Sequence, residues 1–173
     1  MSKVCVFLAD GFEECEGLIT VDILRRAGVE VVMASVTGKA QVTGSHRISV
    51  TADALAEALA LDEFDMLVLP GGMPGTTHLG GSALVTGVVR RFIGQGKRVA
   101  AICAAPSVLG GLGLLEGRRA TCYPSFEHAL AGAEITGAEA VTDGPVTTGQ
   151  GLGAAIPFAL ELAFWRAPKK RRR

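Results

Sequence analysis

The chain has 173 residues, is 49% hydrophobic with positive mean hydropathy, and is formally neutral. Those values fit one domain with a sizeable core and exclude a disordered or repeat-built protein. The neutrality hides an asymmetry: Arg166, Lys169, Lys170, Arg171, Arg172 and Arg173 are six of the 17 basic residues, so residues 1–165 set the other eleven against all seventeen acids, about −6.

Residues 1–165 are therefore expected to be the domain and 166–173 a basic disordered tail; the tail has no aromatic residue to stack on a base, which argues against a nucleic-acid partner. No apolar stretch has the length of a membrane span, and MSKVCVFLAD at 1–10 runs straight into a strand, so a cytoplasmic protein without membrane attachment is expected. Cys5, Cys15, Cys103 and Cys122 show no CxxC spacing, so reduced thiols are expected, with neither a disulfide framework nor a zinc site.

Taken in order, KVCVFLA at 3–9 is a buried strand, DGFE at 10–13 a turn, and a helix runs from Glu14 to about Ala27. Leu18, Val21 and Leu24 give that helix an apolar face, Arg25 and Arg26 suit its C-terminal end, and Glu13, Glu14 and Glu16 read as solvated acids at its N-terminus. VEVVMAS at 29–35 completes a βαβ unit of the parallel, right-handed kind. Two glycines and alternating Val/Ile positions in TGKAQVTGSHRISVT at 37–51 predict a small antiparallel excursion. Asp53 is placed as the cap of a short helix at 54–60, and FDMLVLP at 64–70 as a buried strand closed by Pro70. Gly71 and Gly72 then allow backbone N–H groups to face a ligand, with His78 in the loop beyond. Ser82 opens a helix to about Ile93.

The stretch VAAICAAPSVL at 99–109 organises the rest: a strand ends at Cys103, and Pro106 opens a helix where its missing N–H costs nothing. Cys103 thus sits at a strand-to-helix elbow among small residues, with the N–H of Ala104 placed for an oxyanion. Beyond it RATCY at 119–123 reads as a strand, PSFEHAL at 124–130 as a short helix, and EAVTDGPVTTG at 139–149 as a hairpin turning at Asp143 and Gly144. A final helix over 152–165 is apolar nearly all round and should be buried, with Pro157 marking a late start or a kink. The result is an α/β protein with a mostly parallel sheet. No GxxxxGK[ST] loop is present, which removes the main nucleotide-triphosphate reading.

GFEECEG at 11–17, VLPGGMPG at 68–75, AAICAAPS at 100–107, TCYP at 121–124 and TTGQGLGAAIPFAL at 147–160 together resemble the ThiJ/PfpI superfamily, in the branch of the human parkinsonism-associated protein deglycase. The resemblance covers the chain up to Trp165. It implies a flavodoxin-like sandwich with helices on both faces, a homodimer, and neither metal nor organic cofactor. It places the reactive cysteine on Cys103, its acid partner on Glu16, and the oxyanion pocket on Gly71, Gly72 and the N–H of Ala104. The implied function is a cysteine-dependent enzyme acting on a small carbonyl substrate such as methylglyoxal, or on a glycated protein. The alternatives are a peroxide-sensing or holdase protein and another hydrolase or hydratase of the superfamily. Two positions depart from the pattern: Tyr123 stands where many relatives carry a histidine, and Gln150 where an arginine is frequent. Cys15, His46, Tyr123 and Gln150 are further candidates for substrate contact, His46 by way of a dimer partner; His78 and His128 read as surface residues.

Overall fold

The computed structural model describes residues 2–165; the expected basic tail at 166–173 lies outside them. Lys3–Leu8 (β1), Glu14–Arg26 (α1) and Glu30–Ser35 (β2) form the first βαβ unit. Gln41–Thr43 (β3) and Ser49–Thr51 (β4) are the antiparallel excursion, after which Ala54–Leu55 (β5) rejoins the edge of β2. Met66–Leu69 (β6), Gly75–Gly81 (α2), Ala83–Gly94 (α3), Arg98–Ile102 (β7) and Pro106–Gly111 (α4) follow. Arg119–Ala120 (β8) and Glu134–Ile135 (β9) make a small parallel pair. Ala140–Asp143 (β10), Val146–Gly149 (β11) and Ala155–Phe164 (α5) end the described chain.

The main sheet has the order β10-β11-β7-β6-β1-β2-β5 and is parallel apart from the β10–β11 hairpin. Because successive strand residues point to opposite faces, Cys5, Phe7, Leu67, Leu69, Val99 and Ala101 pack against Leu79, Val88, Phe92 and Leu109 of α2, α3 and α4. Val4, Val6, Leu8, Met66, Val68, Ala100 and Ile102 pack against Val21 and Leu24 of α1 and Phe158 and Leu162 of α5. Both faces are therefore covered, which is why the central strands read as uninterrupted apolar runs.

Several local expectations are corrected. Asp53 does not cap a helix: its Oδ2 accepts from the N–H of Met33 (2.8 Å) and from Arg25 (2.7 Å). Ala54 and Leu55 instead take up the open parallel edge of β2, leaving a single 3-10 turn at Ala56–Ala58; ladder bonds win over a short isolated helix whose nucleation is costly. The segment holding His78 is helix α2 rather than a loop, secured by the fully buried Leu79 and by the Thr76 N–H bond to the Gly72 carbonyl (2.9 Å). The strand expected at 119–123 stops at Ala120, because the N–H of Thr121 goes to Thr148 Oγ1 (2.9 Å) and that of Tyr123 to the carbonyl of Cys103 (2.8 Å). The short helix expected at 124–130 is one 3-10 turn, Glu127–Ala129. Pro157 marks a late start: it lies in the first turn of α5, where its N–H would have had no partner. That helix is not buried all round, since Ile156, Leu160 and Phe164 are 54%, 43% and 81% exposed.

Candidate active site

β7 delivers Cys103 to the C-terminal edge of the sheet, where ligand-binding loops of such folds gather. Cys103 has φ +65°, an unusual backbone for a residue with a side chain. Two distant segments hold it there: its N–H donates to the carbonyl of Gly149 (2.9 Å), and its own carbonyl accepts from the N–H of Tyr123 (2.8 Å). Cys103 is partly exposed, while Ala104, Ala105 and Pro106 beneath it are buried. The strained strand-to-helix turn expected from the sequence is the turn observed.

Helix α1 brings the acid. The side chain of Glu13 accepts from the N–H of Glu16 (2.8 Å) and so fixes the first turn. Glu16 is 1% exposed, and Glu14 4% exposed; neither is the solvated helix-end acid their spacing suggested, because the β3–β4 excursion and the Gly71–Gly72 turn close over them. Glu16 Oε2 accepts from the N–H of Gly71 (2.9 Å), whereas Oε1 is buried with no hydrogen-bond partner, and the carboxyl lies beside Cys103 across Gly71. Gly71 makes that approach possible: a Cβ on it would lie 2.5 Å from Glu16 Oε2 and 2.6 Å from Cys103 Cβ. Gly72, at φ +93°, has its would-be Cβ against the N–H of Glu13. The loop before α1 and the loop after β6 are tied together by the N–H of Glu13 on the Gly71 carbonyl (2.8 Å) and that of Gly75 on the Gly11 carbonyl (3.1 Å).

Burial raises Glu16 to about 7; the Glu13 charge adds to the rise, and the contacts with Cys103 and Gly71 oppose it. Burial, followed by the charge of a Glu16 carboxylate, pushes the Cys103 thiol up to about 12, while the N–H groups of Ala104 and Gly72 pull it down. The two acids titrate as one pair. A carboxylate and a thiolate side by side are excluded at neutral pH, so the pair carries one anion once its first proton leaves.

Of the other candidates, Tyr123 and Gln150 lie beside this centre. A Cβ on Gly151 would come 3.1 Å from Tyr123 Cδ2 and 3.9 Å from Cys103 Sγ, so Gly151 separates the ring from the sulfur by one small residue. Cys15 is exposed at the start of α1. His46 is held at the turn of the β3–β4 hairpin by Glu14: its N–H donates to Oε1 (2.7 Å) and its Nδ1 lies 3.2 Å from Oε2. His78 Nδ1 bonds the carbonyl of Asp10 (2.8 Å), and His128 lies in the 3-10 turn after Tyr123. Among the described residues, Glu13, Glu14 and His46 bring potential metal-ligand atoms within 4.8 Å of one another, but both carboxylates are already engaged, as helix cap and hairpin clasp. Sequence reasoning missed the role of Glu14; the only signal was its spacing from Glu16, which a helix places on a different face.

Residues 2–164 match the model of the DJ-1/PfpI family. The chain belongs to this family. Within DJ-1/PfpI, it is 39% identical to Protein dj-1beta of Drosophila melanogaster, over 99% of this chain and 93% of that protein. It is 37% identical to a deglycase of Pyrococcus abyssi, over 82% of this chain and 86% of the archaeal one. The crystal structure of Drosophila DJ-1beta superposes with a TM-score of 0.90 at 39% identity, covering 94% of this chain and 89% of that one. Oxidized DJ-1 of Toxoplasma gondii gives 0.89, also at 39% identity and with the same coverage. The fold read from the strand pattern is thus the DJ-1/PfpI fold, and the match includes every loop that meets Cys103.

Proposed function

We propose that the protein is a cysteine-dependent enzyme acting on small reactive aldehydes, converting methylglyoxal or glyoxal to a 2-hydroxy acid without glutathione. The observation that carries this reading is the juxtaposition of buried Glu16 and Cys103 against Gly71, on a strained elbow. With Oε2 accepting from Gly71 and Oε1 otherwise unpartnered, the carboxyl is arranged as an acid donating its proton to sulfur. Burial and a Glu16 carboxylate push the Cys103 thiol up to about 12, while the N–H groups of Gly72 and Ala104 pull it down and so favour the anion on sulfur once Glu16 holds the proton.

The thiolate adds to the aldehyde carbon, and the carbonyl oxygen takes the electron pair against the same N–H groups and then a proton, giving a hemithioacetal. Glu16, as carboxylate, removes the proton from that carbon and, as acid, returns it to the neighbouring carbon, leaving a thioester of the 2-hydroxy acid. Water hydrolyses the thioester and frees the thiol. The name of the Pyrococcus relative, a deglycase, supports carbonyl chemistry of this kind. A peroxide-sensing role for the same thiol is the second reading, favoured by the oxidized state of the Toxoplasma DJ-1 relative. Incubation with methylglyoxal in the absence of glutathione tests the choice: formation of lactate supports the enzyme, and a gain of oxygen mass on Cys103 with peroxide, without turnover, supports the sensor.

A further inference from the structure

A cleft of about 400 Å³ opens beside the thiol, between the segment after β8 and the loop that links β11 to α5. Tyr123, Pro124, Glu139, Gln150, Gly151 and Leu152 line it. Gly151 forms its inner end, where a Cβ would lie 3.9 Å from Cys103 Sγ. The Tyr123 ring is 49% exposed and fixed next to the sulfur by the backbone bond from Tyr123 N–H to the Cys103 carbonyl. The N–H of Gln150 bonds the carbonyl of Glu139 (2.9 Å), which holds the Glu139 segment at the rim.

The charge of this cleft is one-sided. Among the described residues lining it, Glu139 alone is ionisable near neutral pH, and it is an acid; no lysine, arginine or histidine is present. Cys103 lies behind Gly151, at the inner end. An exposed aromatic ring, a carboxylate and a carboxamide around an apolar floor suit an alkylammonium or guanidinium, which is drawn to the ring's face and to the carboxylate. A carboxylate-bearing ligand would meet Glu139 and no cationic partner among the described lining residues.

We propose that this cleft is a subsite for a positively charged group on the carbonyl substrate, so that the protein selects aldehydes or carbinolamine adducts carrying ammonium or guanidinium over neutral ones, and rejects anionic ones such as a 2-oxo acid. The assignment deepens the carbonyl-enzyme reading and rests on it for the word substrate, but the charge preference belongs to the cleft and is measurable without turnover. In a Cys15→Ser background, which removes the other exposed thiol, Cys103 is labelled with three methanethiosulfonates: trimethylammonioethyl, methyl and sulfonatoethyl. Each rate is divided by that of the same reagent with free 2-mercaptoethanol. The normalised cation-to-anion ratio should be about tenfold at low salt and shrink at high salt. Glu139→Gln should lower it several-fold, and Gln150→Arg should invert it. Tyr123→Leu should slow the cationic reagent more than the neutral one. A ratio near one in the parent overturns the proposal, as does a ratio untouched by both Glu139→Gln and Gln150→Arg. Lack of methylglyoxal turnover with the ratio intact would count against the enzymatic reading and leave the cationic cleft standing.

Discussion

The proton shared by Glu16 and Cys103 governs both reactivity and stability. Cys103→Ser should abolish dicarbonyl turnover and keep the fold, because a hydroxyl fills nearly the same space but gives no accessible anion at neutral pH; lactate release at the wild-type rate would refute the mechanism. Cys5 and Cys122 are buried, and burial raises their thiols to about 12 and about 11, so neither competes for reagent. Glu16→Leu removes the donor that faces the sulfur, and alkylation by iodoacetamide at pH 7 should slow; an unchanged rate would leave the backbone N–H groups as sole activators. Stability reads the same proton. The folded protein holds it up to about 7, where the unfolded chain has already lost it above 4.5. The stabilisation is therefore complete below the lower value and is lost as pH climbs to the higher one. Glu16→Gln has no such proton, so its stability relative to wild type should improve by about 1.4 kcal/mol per pH unit across that window. Urea denaturation at several pH values gives the slope, and a flat difference would mean that the carboxyl ionises as freely in the fold as in water.

At the level of elements, the site depends on loops clasped to each other rather than on the sheet alone. Gly71→Ala would drive a methyl group between Glu16 and Cys103, and the strain should cost about 1–3 kcal/mol and separate the pair. The measurable sign is loss of both Tm and thiol reactivity. Glu14 does different work. Burial would raise its pKa, but its own backbone N–H, those of His46 and Ile48, and the His46 ring bring it below the ordinary value. Its carboxylate pins the β3–β4 turn onto α1. Glu14→Ala should remove the acceptor of the part-buried His46 and Ile48 N–H groups, cost about 1 kcal/mol, and speed hydrogen exchange at those two amides, while Cys103 alkylation stays near the wild-type rate. Exchange that does not change at those two amides would show that the turn holds itself.

Seen as a whole molecule, the sandwich leaves one apolar row uncovered. Ile156, Leu160 and Phe164, at helical spacing of four, are 54%, 43% and 81% exposed, and Ile48 on the excursion is 54% exposed. A row of this kind on a compact protein marks a surface for association. We expect a homodimer, with sedimentation equilibrium at micromolar concentration as the measurement. Ile156→Glu should shift the mass toward the monomer, and a monomeric wild type would refute the expectation. None of the helices among the described residues is long and apolar enough to cross a membrane.

What local spacing determines, the sequence alone determined. The apolar runs at 3–9, 64–70 and 99–102 are strands because both their faces are buried, and the elbow at Cys103 follows from a strand stopping against small residues and Pro106. Gly71 and Gly72 were legible as a turn for the same local reason. What tertiary structure decided were the choices that depend on distant partners. Glu14 and Glu16 read alike as helix-end acids, and only the closure of Gly71 and the β3–β4 turn over α1 buried both and gave them separate tasks. Asp53 had a good capping sequence but met Met33 and Arg25 instead. The outer face of α5 was as apolar in sequence as its inner one, and only packing showed which side the core had no room for. Tyr123, Glu139 and Gln150 come from three segments after the elbow. Their convergence beside the sulfur is set by hydrogen bonds between residues far apart in the chain, which no periodicity records.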